Sequence, residues 1–443
     1  MTTSYRPYHP NQALLLPASP QDWLPEGHLA YFISDATDAL DLSAFHQRYE
    51  GNRRRRQPYD PAMMVKVLVY AYASGVFSSR KISRCLEQDV AFRVLGADNF
   101  PAHRTIREFR RLHLEEFTEL FVQIVKLARE SGLIKLGYLG IDGTKVKANA
   151  SKRKAMSYGR MKQREEELKK EIEQLSRQAE EQDAAEDKSY GKDARGDELP
   201  EELSRREKRL EAIRQAKQRL EERQREHDES EGLHVDDEGN TRGPGNRVCK
   251  RPFGVPKDKA QDNFTDPQSR IMKTTHGFDQ CYNAQAAVDG GSQLIVATQL
   301  TNCGADVAGL LPMVEAAKRH TGQLPDITLA DSGYASEANF QALESLEATA
   351  YITQARERGK TRTIDPDKHP ASQRMADRMA TAEGHDHYRR RKFIPEPVFG
   401  WIKAAMGFRH FSLRGLKPAS GEWHLVCLAS NLRRMHRLGW SPA

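Results

Sequence analysis

No apolar stretch in this 443-residue sequence approaches the ~18 residues needed to cross a bilayer, and no basic-then-apolar leader pattern opens it. Both absences point to a soluble, cytoplasmic chain with no membrane partner. Cysteine is scarce and scattered. The five residues, Cys85, Cys249, Cys281, Cys303 and Cys427, form no CxxC pair and no Cys/His cluster with zinc spacing. A disulfide framework and a structural zinc site are therefore not expected, and the thiols read as reduced. Charge, by contrast, is plentiful: 69 Lys and Arg stand against 62 Asp and Glu, for a net +7. Spread evenly, that excess would say little. Gathered in patches, it favours a polyanionic partner. With 38% hydrophobic residues, the chain can bury a large core and make two or three domains.

Residues 1–131 read as an arm followed by a helical domain. Arg53 to Arg56 form a basic run, either solvated or in contact with phosphate. Asp60-Pro61 has the form of an N-cap and first helical residue, and Met64, Val65, Leu68, Val69 and Tyr72 follow at helical spacing. Gly75 breaks the run. Short helices are expected from Arg80 to Leu86 and near Ala91 to Leu95, then a longer one from Pro101 to about Glu130. Arg80, Arg104, Arg107 and Arg110 would lie on these helices as DNA-binding residues of a helix-turn-helix-like bundle. The competing reading is a plain bundle with arginines on its wet face.

Residues 132–154 switch to a strand pattern, Leu136, Tyr138, Leu139 and Ile141, expected to end near Asp142. A charged insertion follows at 155–230. Leu168, Ile172 and Leu175 form one thin seam, and Leu203, Leu210, Ile213 and Leu220 another. With a polar break from Asp187 to Pro200 between them, they predict an antiparallel coiled-coil hairpin, thin enough to need DNA or a second subunit to settle. Residues 231–265 read as a basic loop. The remainder, 266–443, predicts a strand hairpin around Gly290-Gly291, a helix from about Asp306, a strand Ile327 to Asp331, a helix from Ser336, a strand at Ala350 to Ile352, a helix at Glu396, a last strand from Trp423 to Leu428, and a basic tail helix.

Three acidic residues stand out against this order. Asp142 and Asp331 close apolar strands, and Glu396 opens an amphipathic helix beside Tyr388, Arg391 and Lys392, with Lys403 two helical turns further on. Alone, each aspartate near a glycine is an ordinary turn residue, and a glutamate before proline an ordinary first-turn acid. Together, on an α/β core with the insertion removed, they match a ribonuclease-H-like topology. There the first and fourth strands lie side by side and the last helix approaches the same site. Such oxygen ligands suit Mg²⁺, and two such ions ~3.5–4 Å apart clamp the attacking and leaving oxygens of an in-line phosphoryl displacement.

At these residues the chain resembles the DDE transposases of bacterial insertion sequences, the group related to the Tn-five, IS-four and IS-five types. The text carrying the resemblance is Ile-Asp-Gly-Thr-Lys around Asp142, Ala-Asp-Ser-Gly-Tyr around Asp331, and Glu-Pro-Val-Phe-Gly-Trp-Ile-Lys around Glu396. Arg270-Ile271-Met272-Lys273, the Tyr-Asn-Ala-Gln strand from Tyr282, and Thr105 to Arg110 add to it. The resemblance implies metal-dependent cleavage at terminal inverted repeats and strand transfer into target DNA, with Asp142, Asp331 and Glu396 as catalytic residues and metal ligands. It implies two Mg²⁺ ions, with Mn²⁺ a substitute, and a homodimer in the DNA complex of a nucleoid-associated protein. The family's Tyr-x2-Arg-x3-Glu-x6-Lys signature maps to Tyr388, Arg391, Glu396 and Lys403 as DNA-contacting neighbours, except that four residues rather than three separate Arg391 from Glu396. Either Arg391 reaches differently, or Lys392 takes part of its role. A metal nuclease on the same core without strand transfer, or a non-catalytic DNA-binding scaffold, would share much of this text.

Overall fold

A computed structural model describes residues 22–49, 57–190, 201–275, 277–354 and 364–442. The Arg53–Arg56 run and residues 191–200 of the expected break lie outside the described residues. The chain opens with seven helices: α1 (Leu29–Asp38), α2 (Ser43–Gln47), α3 (Pro61–Ala73), α4 (Ser79–Gln88), α5 (Val90–Gly96), α6 (His103–Leu112) and α7 (Leu114–Glu130). Asp60 caps α3 as expected, its Oδ1 accepting from the Met63 N–H at 3.0 Å. The single helix expected from Pro101 to Glu130 is instead two. The break falls at His113, whose ring is buried against Glu116, Phe45 and Phe109.

The catalytic-type core is one mixed sheet. Its strands are β1 (Tyr138–Lys147), β7 (Arg270–Thr274), β8 (Gly277–Asp289), β9 (Ile295–Thr301), β10 (Ile327–Ala330) and β11 (Ala350–Ile352). The order is β11-β10-β1-β8, with β7 and β9 also pairing to β8. β1 runs parallel to β10 and antiparallel to β8. With the added edge strand β7 set aside, β1 and β10 are the neighbouring first and fourth strands of the ribonuclease-H-like arrangement the sequence predicts, in a mixed α/β fold. Strand β8 is buried from Gln280 to Asp289 because helices cover it. They are α10 (Leu310–Thr321) on one flank and, through β9, a C-terminal helix running Leu416–Arg437.

Between β1 and β7 lie β2 (Ala155–Ser157), α8 (Tyr158–Tyr190), α9 (Glu201–Ser230), β3 (His234–Val235), β4 (Thr241–Gly243), β5 (Arg247–Val248) and β6 (Gln261–Asn263). Helices α8 and α9 form the expected antiparallel hairpin. Leu168, Leu210, Ile213 and Leu220 are buried in its seam, joined by Tyr158, Met161 and Ala216, which the leucine spacing did not reveal. Ion pairs tie the helices on its flanks: Glu165 to Arg214 (3.3 Å) and Lys217 (3.1 Å), and Glu171 to Arg206 (2.9 Å). Its base is clamped by Asp262, whose carboxylate holds Arg219 and Arg223. The expected basic loop at 231–265 is in fact partly sheet. β3, β4 and β5 form a small meander, and β6 pairs with β2.

The remaining helices are α11 (Glu337–Ser345), α12 (Pro370–Ala380), α13 (Ala382–Arg389), α14 (Pro395–Gly400) and α15 (Leu416–Arg437), with a π-helical turn at Trp401–Ala405 after α14. No last strand exists at Trp423–Leu428; those residues sit inside α15. The helix is wedged against α3, α7 and β9. From Ala419 to Leu432 it is buried on nearly every side, so its run of Leu425, Val426, Cys427 and Leu428 imitates a buried strand.

Candidate active site

Parallel pairing of β1 with β10 ends at Ile141↔Ala330. The next residue on each chain is an aspartate, Asp142 and Asp331, so the two carboxylates project from one crevice between strands spaced ~4.8 Å apart. Asp142 does not end its strand, contrary to the sequence expectation. β1 continues beside β8 as far as Lys147, and Asp142 marks the point where only the β8 partner remains. Asp331 does leave the sheet. Its Oδ1 accepts from the Gly333 N–H at 2.8 Å and caps the turn Ser332–Tyr334.

Period-two alternation along β1 sorts the surroundings. Gly140, Asp142 and Thr144 face α14 and the turn before it. A Cβ on Gly140 would come within 2.8 Å of Ile394 and Pro395, so the missing side chain lets α14 lie close against the strand. That approach brings Glu396, in the first turn of α14, toward Asp142. Arg391 stands between them: its Nη1 is 3.8 Å from Asp142 Oδ2 and its Nη2 3.8 Å from Glu396 Oε1. The arginine side chain is only 8% exposed, and its guanidinium lies 5.7 Å from the Tyr388 ring centroid. The extra residue in the Arg-to-Glu spacing is taken up by a 3₁₀ turn, Arg390–Phe393. Arg391 therefore reaches both carboxylates, while Lys392 is exposed. Lys403, half-buried, donates to Thr144 Oγ1 and to the Lys145 carbonyl at 3.1 Å.

The opposite face of β1 holds a group that sequence reading missed. Asp306 Oδ1 accepts from Asn283 Nδ2 (2.6 Å), Lys145 Nζ (3.2 Å) and Gln285 Nε2 (3.3 Å). Asn283 and Gln285 are buried on β8, and the hydroxyl of buried Tyr334 has no hydrogen-bond partner among the described residues. A signal existed: two amides at alternate positions of an otherwise apolar strand need a polar partner. Asp306 itself looked like a plain helix start.

Burial, together with the charges of Asp331 and Asp306, pushes the Asp142 carboxyl up to about 6, despite the Gly143 N–H and Arg391 beside it. Burial likewise lowers the Lys403 ammonium from its usual value. Among the described residues no three His, Cys, Asp or Glu side chains are already drawn together at metal-binding distance. Arg391 occupies the middle instead. The donors nonetheless fit a hard divalent cation: all are carboxylate oxygens, and Asp142 lies close enough to Asp331 and Asp306 to feel their charge.

The arginines expected on the N-terminal helices divide. Arg80, Arg104 and Arg107 are exposed on α4 and α6. Arg110, expected on the DNA-facing surface, is instead buried and cannot meet DNA. It is 4% exposed and donates to Tyr72 Oη (2.9 Å) and the Phe77 carbonyl (2.8 Å), with Glu422 3.9 Å away. Its helix turns that face inward, as the neighbouring Ile106 and Phe109 show.

Two family models match the sequence. One, described as Transposase DDE domain, covers residues 243–432, and the other, Transposase domain (DUF772), covers residues 18–112, together more than half of the chain. The chain belongs to the DDE transposases. No curated protein and no solved structure gives a significant match. The transposase places Asp331 and Glu396 inside the first matched segment. Asp142 lies outside it, and the sheet register and Arg391 connect it to the other two. Membership makes this a DNA transposase, of a family that generally uses divalent metals. No helix among the described residues is long and apolar enough to cross a membrane.

Proposed function

We propose that Asp142, Asp331 and Glu396 are the metal-holding carboxylates of this transposase, that Mg²⁺ is the working ion, and that the enzyme cuts the ends of its own element and joins the freed 3′ ends to target DNA. The observation that carries the reading is Arg391, ion-paired to Asp142 and Glu396 at the mouth of the β1–β10 crevice. It gathers side chains from a strand and a helix that are distant in sequence. A divalent pair bound there supplies charge neutralisation at the scissile phosphate and a more acidic attacking hydroxyl.

The protein's own residues do the rest. Arg391 bridges Asp142 and Glu396 and screens their repulsion until they are engaged, and Tyr388 buttresses its plane. Asp306 tethers Lys145 behind the strand, which fixes β1 under the site. Lys403, anchored on Thr144, places an ammonium beside the path of the strand being cut, where it can meet a flanking phosphate. Arg80, Arg104, Arg107 and Lys392 are exposed cations for the surrounding duplex. Two protomers bridging two element ends make the working assembly.

The test is cleavage and joining on duplexes that carry the element's ends, in Mg²⁺, with Asp142→Ala alongside. Loss of at least 10³-fold in both steps is expected. Cleavage that persists in the variant would sink the assignment. Cleavage by the unaltered enzyme without joined product would instead support a nuclease.

A further inference from the structure

Behind the helix that carries Glu396, a cavity of about 170 Å³ opens between α14, its π-helical extension and the last turns of α15. Three arginines line it, Arg433, Arg434 and Arg437, with Trp401 as one wall and Ser430 and Gln293 at its edge. Two of the arginines are anchored. Arg433 Nη1 donates to the Ala73 carbonyl, and Arg434 Nε donates to the Ser292 carbonyl at 2.8 Å. The third, Arg437, lies with its guanidinium 4.0 Å from the Trp401 ring centroid, and Arg433 flanks the same ring at 5.0 Å. Among the described residues no carboxylate forms an ion pair with any of the three. Burial, and after it the neighbouring Arg437 charge, pull the Arg433 guanidinium below its ordinary value.

Three guanidiniums converging on one small cavity, two of them held by backbone carbonyls, favour an anion there. At about 170 Å³ the space is well below the ~300 Å³ where small-molecule and cofactor sites begin. A phosphodiester group fits that space. The indole wall offers an apolar face for an adjoining sugar or base, and stacked arginine is suited to bidentate phosphate contact. We propose that this cavity seats one backbone phosphate of DNA, outside the carboxylate crevice and on the far side of the same helix. The inference rests on the DNA-acting reading of the protein and adds a second anchoring point to it. DNA held there would press on the element that carries Glu396 and fix its position relative to Asp142.

Two measurements on the full-length protein, with a random-sequence 30-base-pair duplex as the probe, test it. The first is binding across a salt series without divalent ions. Arg437→Gln should weaken binding and reduce the slope of log affinity against log salt by roughly one unit, the share of one phosphate contact. Melting temperature should be unchanged, because Arg437 is exposed. The second uses the unaltered protein. Saturating duplex should protect Arg437 from phenylglyoxal, read by peptide mass spectrometry. An unchanged slope in Arg437→Gln, or an unprotected Arg437 in a protein that does bind the duplex, overturns the cavity proposal and leaves the carboxylate assignment standing. Failure of the unaltered protein to bind any duplex overturns both.

Discussion

A guanidinium has two forks, and Arg391 uses one on each of two carboxylates. An ammonium has no such planar, two-sided fork. Arg391→Lys should therefore cut cleavage by at least tenfold while Lys392→Ala changes mainly the salt dependence of DNA binding. Cleavage rates of the two variants, measured side by side, decide which cation serves the site. The reverse ranking would show that the longer Arg-to-Glu spacing had passed the role to Lys392. Asp142 makes a separate prediction about pH. Its carboxyl titrates near 6 in the folded chain, above the 3.8 of an unperturbed aspartate. Between those values the native state holds a proton that the unfolded state has lost, so stability falls as pH rises through that window. Asp142→Asn removes the dependence. Without metal at neutral pH it should be more stable than the parent by about 1–3 kcal/mol, measured by denaturant melts, while cleavage disappears. Metal binding by the parent should weaken as pH drops below about 6, because the ligand must be ionised.

Among the elements, the contact between β1 and α14 is the most exacting. Gly140 has no room for a Cβ, which would lie 2.8 Å from Ile394 and Pro395. Gly140→Ala should push α14 outward and displace Glu396 from Asp142. Cleavage should fall by about 10²-fold, the scale of a 1 Å misplacement, with circular dichroism unchanged. Activity at the parental level would mean that α14 tolerates the shift. Such packing constraints explain what the sequence could and could not disclose. Ile327 to Asp331 was legible because a short apolar run ends in Asp-Ser-Gly, a turn with its own hydrogen bond. The end of β1 was not, because Thr144 and Lys145 are polar for reasons on either face: one meets Lys403, the other Asp306. α15 was misread because a helix buried on all sides has no polar stripe to betray its period. The break at His113 depends on a buried ring stacked on Phe45, distant in sequence, which no local signal records. The three carboxylates were recognisable by motif, whereas Asp306 became visible only once the strands had brought Asn283 and Gln285 against it.

At the scale of the whole molecule, the helical N-terminal region and the sheet share one hydrophobic core. α15 lies between them, touching α3 and α7 as well as β9. A buried polar knot locks the junction. Glu422, fully buried, accepts from Tyr72 Oη (2.8 Å) and from the Ser412 and Leu413 N–H groups, and Arg110 closes the set. Glu422→Ala strands the arginine in the interior and should cost about 3–5 kcal/mol. Replacing Arg110 and Glu422 together with apolar residues should cost less than that single change. Denaturant melts of the three proteins give the comparison, and a double variant weaker than Glu422→Ala would contradict it. The boundary near residue 131 thus separates chain segments but not cores. A fragment beginning at residue 132 should fail to fold on its own.

The central claim is that Asp142, Asp331 and Glu396 together hold divalent metal. Calorimetric titration of Mn²⁺ into the full-length protein bound to end-bearing duplex tests it most directly. The parent should bind the ion, and Asp142→Ala, Asp331→Ala and Glu396→Ala should each lose that binding while still holding the duplex. Undiminished Mn²⁺ binding in all three variants would contradict the account.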